Sequence, residues 1–175
     1  INIIAQISRA PQEEIKEDFT SFVIDEKTID KLGSYIIDRE KLKSLELHGY
    51  KTFATKTRFE FPDQITAIVG PNGSGKSNIA DAIRWVLGEQ AYSLLRGKKT
   101  VDMIFTGSEL KPRASMASAS IVFDNEDGWL PIDYTEVSLT RRAYRNGENE
   151  YLLNNTKIRL KEINELLANS GLSER

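Results

Sequence analysis

The chain contains no cysteine, which excludes a disulfide framework and any thiolate metal site and fits a reducing cytoplasm. It has one histidine, His48. A metal site needs several ligands, so a strand residue with one wet face is the expected role of that imidazole. No stretch approaches the ~20 consecutive apolar residues of a membrane span, and the N-terminus lacks the basic-then-apolar order of a signal peptide, so no membrane partner is expected. An initiator methionine is also missing: the chain opens on Ile1, and its first methionine is Met103. A processed or longer parent chain is therefore expected. There is no internal repeat and no low-complexity tract.

What is present is the composition of a soluble globular protein. The 175 residues, 39% hydrophobic and 29% charged, suffice for one domain with a real core, or one domain plus an appendage. The net charge of -2 hides an asymmetry. Residues 1–40 carry five Lys or Arg against nine Asp or Glu, and the remainder carries nineteen against seventeen. The leader is read as an acidic N-terminal extension of unknown role, and residues 41–175 as the domain. A mildly basic body permits a local nucleic-acid patch without arguing for one.

The segment Gly70-Pro71-Asn72-Gly73-Ser74-Gly75-Lys76-Ser77 fits the phosphate-binding pattern G-x-x-x-x-G-K-[ST] and stands in the context the mechanism requires. Before it, residues 64–69 (Gln-Ile-Thr-Ala-Ile-Val) read as a buried strand. After it, from Ser77, Ile79, Ile83, Val86 and Leu87 share one helical face with Asp81 and Arg84 off it, and Gly88 is a C-terminal stop. Gly73 and Gly75 lack a Cβ, so the backbone can turn tightly and bring its N–H groups to a phosphate. The helix N-terminus offers free N–H groups and partial positive charge, Lys76 adds a full charge near the β- and γ-phosphates, and Ser77 can hold Mg²⁺.

Around this loop the chain reads mainly as strands. Leu42, Leu45 and Leu47 suggest one, Phe59 and Phe61 another, and Pro62-Asp63 a turn into the loop strand. Arg96, Lys98 and Lys99 lie in a polar stretch that precedes the short apolar run 101–105. Alternation at Ala117, Ala119, Ile121 and Phe123 predicts a strand, and residues 125–128 a turn. Strands over 137–144 and 151–153 flank Asn146-Gly147, whose residues both tolerate positive φ, so three strands form an antiparallel meander. Arg141, Arg142 and Arg145 place basic side chains on or near that hairpin, in contact with DNA or solvated. Leu160, Ile163, Leu166 and Leu167 mark a last amphipathic helix, ended by Ser170-Gly171.

A phosphate loop alone leaves kinases, GTPases, helicases and ATP-binding-cassette ATPases open. The stretches Leu47-His48-Gly49-Tyr50-Lys51-Thr52-Phe53-Ala54, Val69 through Asn78, and Asp81-Ala82-Ile83-Arg84-Trp85-Val86-Leu87-Gly88-Glu89-Gln90 resemble the N-terminal head half of the SMC family of chromosome-segregation ATPases. So do Leu95-Arg96-Gly97-Lys98, Asp102 through Gly107 and Thr140 through Arg145, most closely in its bacterial members. The resemblance implies an α/β fold: the N-terminal lobe of an ABC-type P-loop ATPase head, with a mixed sheet, an antiparallel β meander and flanking helices. It further implies ATP and Mg²⁺ as ligands, with residues 70–78 on the phosphates, Ser77 on the metal, Arg96 near the nucleotide and linking it to DNA, and Lys51 at a basic position beside it. Lys98, Lys99, Arg141, Arg142 and Arg145 are candidate DNA contacts.

Partners implied by the resemblance are the C-terminal half of the same head, a second SMC head in a homodimer, a kleisin subunit with its accessory protein, and double-stranded DNA in the cytoplasm at the nucleoid. The family's signature motif, Walker B aspartate and catalytic glutamate belong to the C-terminal half, and no glutamine follows Gln90 here to serve the Q-loop. ATP hydrolysis is therefore expected of the parent protein, with little or none from this chain alone. Two alternatives remain: a RecF- or RecN-type repair ATPase, which should not carry the 81–90 segment, and a DNA-binding scaffold module without turnover. A simple kinase or GTPase fits least, because an antiparallel hairpin region is foreign to their βαβ repeat.

Overall fold

The computed structural model describes residues 41–61, 68, 73–168 and 170. The expected extension over residues 1–40, the strand over 64–69 and its Pro62-Asp63 turn, Gly70, Pro71 and Asn72, and the closing Gly171 fall outside these residues, apart from Ile68.

Among the described residues, six antiparallel strands make one sheet in the order β2-β1-β3-β4-β5-β6. They are β1 (Leu42–His48), β2 (Thr57–Glu60), β3 (Met116–Asp124), β4 (Glu136–Tyr144), β5 (Asn149–Leu153) and β6 (Thr156–Ile158). The expected three-strand meander is β3-β4-β5, and it extends by one strand at the far edge and two at the near one. Period-two patterning decides which face is covered. Ala117, Ala119, Ile121 and Phe123 of β3 pair with Ala143, Arg141, Leu139 and Val137 of β4 and are all buried. The opposite face is polar, with Ser120 and Thr140 in a cross-strand hydrogen bond of 2.6 Å. Leu42 and Leu45 break simple alternation, yet both are buried, because the β1–β3 register shifts between Leu42 and Ser44. One extra residue there returns the strand to the same face.

Helix α1 (Lys76–Val86) lies against the apolar face of β3 and β4. Its inward residues are Ile79, Ala82, Ile83, Trp85 and Val86. A Schellman cap ends it: Gly88 N–H donates to Trp85 O at 3.3 Å, Glu89 N–H to Arg84 O at 3.1 Å, and Gly88 takes φ 108. Helix α2 (Leu160–Leu167) buries Ile163 and Leu167, and Leu160 and Asn164 stand close over Gly88. Between α1 and β3 the chain makes a short 3-10 turn at Thr100–Met103. Ile104 then bridges to Tyr50.

Two hairpins differ from the simplest sequence reading. In the β4–β5 connection only Gly147 has positive φ, at 92, and its N–H returns to Tyr144 O at 3.0 Å. This is a turn with one left-handed glycine, not a two-residue loop with both residues left-handed. The two-residue loop occurs instead at Asn154 (φ 47) and Asn155 (φ 67), which join β5 to β6. In the β3–β4 connection the turn expected at 125–128 opens a longer loop, folded around one buried side chain. Asn125 Nδ2 donates to the carbonyls of Leu130, Ile132 and Tyr134, and its Oδ1 accepts from Leu130 N–H at 2.8 Å.

Candidate nucleotide site

The start of α1 is built for an anion. Gly75, the residue before the first helical turn, is left-handed at φ 93, and Gly73 is left-handed at φ 83. A Cβ on Gly73 would meet nothing within 4 Å, whereas one on Gly75 would sit 2.8 Å from Thr52 Oγ1 and 3.3 Å from the Phe53 ring. Thr52 and Phe53 therefore pack beneath the loop, and only glycine at 75 lets the backbone pass over them. Lys76 and Ser77 are the first two residues of this helix, whose N-terminus carries the partial positive charge that favours an anion, while Asn78 N–H turns back to Gly75 O at 2.9 Å. Ser77 and Asp81 are one turn apart on the same face.

Beside this end lies a compact polar cluster. Asp81 Oδ2 accepts from Lys51 Nζ at 2.6 Å, from Arg96 Nε at 3.0 Å and from Arg96 Nη2 at 2.7 Å. Lys51 Nζ also donates to Leu95 O. The Asp81 side chain is only 5% exposed, while that of Arg96 is 49% exposed. Asp81 is therefore not on a solvated flank of the helix, where its position off the apolar stripe suggests it should be; two cations bring it inside. Asn78 joins the cluster to the loop, donating through Nδ2 to Thr52 Oγ1 at 2.9 Å.

Lys51, Gly73, Ser74, Gly75, Lys76, Ser77, Asn78 and Arg96 are thus gathered around one helix end. The candidate DNA contacts separate. Lys98 and Lys99 have exposed side chains, and their N–H groups donate to Asp102 Oδ2 at 2.8 and 3.1 Å. Arg142 pairs with Glu150 at 3.4 Å on the polar face of the sheet. Arg145 is half-buried and donates to Ala114 O and Phe105 O at 2.7 and 3.1 Å, which ties the hairpin to the loop before β3.

Arg141 is corrected outright: it is fully buried, so it cannot meet DNA. Its guanidinium lies 4.9 Å from the Trp85 ring centre and 5.0 Å from that of Tyr151. It donates to Trp85 O at 3.0 Å, Glu89 O at 2.7 Å and Asn149 Oδ1 at 3.1 Å. Burial pushes its pKa down, and the nearby Tyr151, Tyr92, Tyr50 and Glu89 partly oppose that. The residue fastens the meander to the C-terminal end of α1, where a cation is favoured by the helix dipole. Burial likewise pushes the Tyr50 hydroxyl well above its usual range, beside Trp85 at 5.1 Å.

The family model described as RecF/RecN/SMC N terminal domain matches residues 41–175. The chain is 55% identical over 134 residues to the chromosome partition protein Smc of Lactiplantibacillus plantarum, covering 77% of this chain and 11% of that protein. It therefore spans about a tenth of the length of such relatives. Among solved structures, one described under ATP-driven dimerization and DNA-stimulated activation of SMC ATPases has TM-score 0.73 and 41% identity, covering 75% of this chain and 80% of that one. The Smc head of Pyrococcus furiosus bound to the C-terminal domain of ScpA has TM-score 0.73 and 42% identity, covering 75% and 33%. A RecF structure shares the fold alone, at 22% identity and TM-score 0.53 over 70% of this chain and 29% of that one. The chain belongs to the RecF/RecN/SMC N-terminal domain family, and within it to the N-terminal part of the SMC ATPase head.

Proposed function

We propose that this chain supplies the nucleotide-binding part of an SMC-type head and that its ligand is ATP with Mg²⁺. The observation that carries the reading is the left-handed Gly75 at the start of α1, whose missing Cβ leaves room for Thr52 and Phe53 beneath the loop. Residues 70–78 would cradle the phosphates, Lys76 would neutralise their charge, and Ser77 would hold the metal. The metal, when bound, neutralises charge on the phosphate oxygens. Lys51 and Arg96 add positive charge beside that end.

Hydrolysis requires groups that position and activate water, and these belong to the C-terminal half of the head. In the whole protein, ATP binding engages two heads and hydrolysis separates them, coupled to chromosome condensation, DNA entrapment and segregation, with a kleisin and its accessory protein bridging the heads at the nucleoid. Lys98 and Lys99 are the surviving DNA candidates with exposed side chains, and Arg142 is a weaker one because Glu150 already pairs it. The titration of a fluorescent ATP analogue with Mg²⁺ into this chain tests the core of the reading. Saturable binding is expected, weakened roughly 10- to 100-fold in Lys76→Ala, the loss of one charge-assisted contact. Equal binding by wild type and Lys76→Ala would refute it.

A further inference from the structure

Lys51 and Arg96 are far apart in the chain and reach the same carboxylate oxygen of Asp81. Both have left-handed backbone, at φ 47 and φ 50. The only other non-glycine residues with positive φ among the described residues are Asn154 and Asn155, of a type that tolerates it in a hairpin loop. Strained conformations at a lysine and an arginine persist only where the surroundings over-determine them, and such residues cluster at working sites. Two strained cations converging on one nearly buried carboxylate exceed what helix packing alone requires.

The orientation of the arginine is also set. Its Nε and Nη2 both face Asp81 Oδ2, and Nη2 additionally approaches Asn78 Oδ1 at 3.5 Å. A planar guanidinium held through one edge has its plane and direction fixed, which a lysine at that position could not achieve. Asn78 holds Thr52, and Thr52 lies directly under Gly75. The cluster is thus continuous with the phosphate loop through hydrogen bonds and van der Waals contact.

We propose that Asp81 is a positioning residue: one turn beyond Ser77, it fixes Arg96 and Lys51 as a single oriented cationic unit beside the phosphate-binding end of α1. It touches no ligand itself and acts through Arg96. This rests on the reading of the loop as an ATP site. The carboxylate offsets part of the repulsion between the two cations, so they remain together before any phosphate arrives. Its removal frees the half-exposed Arg96 to leave the site.

Asp81→Asn keeps the shape and removes the charge. Two independent readouts test the proposal. In this chain without nucleotide, the Arg96 Nε–H resonance is expected to be resolved and slow to exchange in wild type, and exchange-broadened in Asp81→Asn with the fold intact by circular dichroism. An Arg96 signal indistinguishable between the two would overturn the proposal. In the head assembled with its C-terminal half, ATP affinity is expected within about threefold of wild type while turnover falls roughly 10- to 100-fold, as for misplacement of a catalytic-site group by about 1 Å. Asp81→Glu should restore part of it. On an Arg96→Ala background Asp81→Asn should cost nothing further, the non-additivity of residues that act as a unit. Full multiplication of the two effects, or equal losses in affinity and turnover, would show a merely structural role and overturn the proposal. Absence of nucleotide binding in wild type would instead refute the ATP-site reading, and the resonance readout would still decide the role of Asp81.

Discussion

Replacing Arg141 by methionine should destabilise the chain by about 2–4 kcal/mol, although it removes a buried charge with no carboxylate paired to it among the described residues. Methionine refills the slot between Trp85 and Tyr151 and keeps favourable sulfur–ring contact, so no large cavity forms. Trp85 O still accepts from Gly88 N–H, but Glu89 O loses the donor at 2.7 Å, and Asn149 Oδ1 loses its own at 3.1 Å. A buried carbonyl left unsatisfied costs about 1–3 kcal/mol. Two cation–π contacts in a desolvated site are worth up to about 2 kcal/mol each. Against these stands the desolvation of the guanidinium, several kcal/mol, which the substitution removes. With about 2 kcal/mol for each of the two abandoned acceptors and about 1.5 kcal/mol for each ring contact, the loss is about 7 kcal/mol. It exceeds by about 3 kcal/mol a desolvation relief of about 4 kcal/mol, which includes the buried Nη2 that has no hydrogen-bond partner among the described residues. At about 2–4 °C per kcal/mol the midpoint should fall by roughly 5–15 °C. Arg141→Lys keeps the charge but cannot span both carbonyls, so it should be no better than methionine. Thermal and urea unfolding followed by circular dichroism provide the assay. A methionine variant as stable as wild type would refute the view that Arg141 fastens the meander to α1.

Gly75→Ala should abolish measurable ATP-analogue binding in the same titration used for Lys76→Ala, because its Cβ would meet Thr52 Oγ1 at 2.8 Å in a backbone at φ 93. Asn125→Ala should cost about 2 kcal/mol in urea unfolding, since Leu130 N–H and the carbonyls of Leu130, Ile132 and Tyr134 lose their shared partner. Hydrogen bonds from Lys157 and Tyr144 hold the Glu150 carboxyl below its usual pKa, with Arg142 adding to the field. A depressed folded-state pKa means this contribution is complete above the ordinary glutamate range and is lost as pH falls through and below it. Glu150→Gln should therefore flatten the acid limb of a stability-against-pH curve and leave its alkaline limb unchanged.

Much of the sheet was legible because period-two alternation is a local signal, and β3 and β4 follow it closely. That same pattern held information about Arg141. It shares parity with Val137, Leu139 and Ala143, so alternation puts it on the apolar face; attention to charge alone sends it outward. The edge strand β6 also had a signal in Asn154-Asn155, a pair that tolerates left-handed backbone at both turn positions. The bulge between Leu42 and Ser44 carried none, since it depends on the register with Phe123 and Val122. At the site, the glycines, Lys76 and Ser77 are contiguous and announce themselves. Asp81 does not, because its meaning comes from Lys51 and Arg96, which reach it from separate loops. Long-range electrostatic pairing leaves no periodic trace in a sequence.

We propose a divided active site of which this chain holds the ATP-binding half. Its most direct test is ATP turnover with and without double-stranded DNA, by this chain alone and mixed with the C-terminal half of the head, with Lys76→Ala as control. Turnover that appears only in the mixture and vanishes with Lys76→Ala is the predicted result. Turnover by this chain alone would contradict the account, because a water-activating group would then have to lie within its own 175 residues.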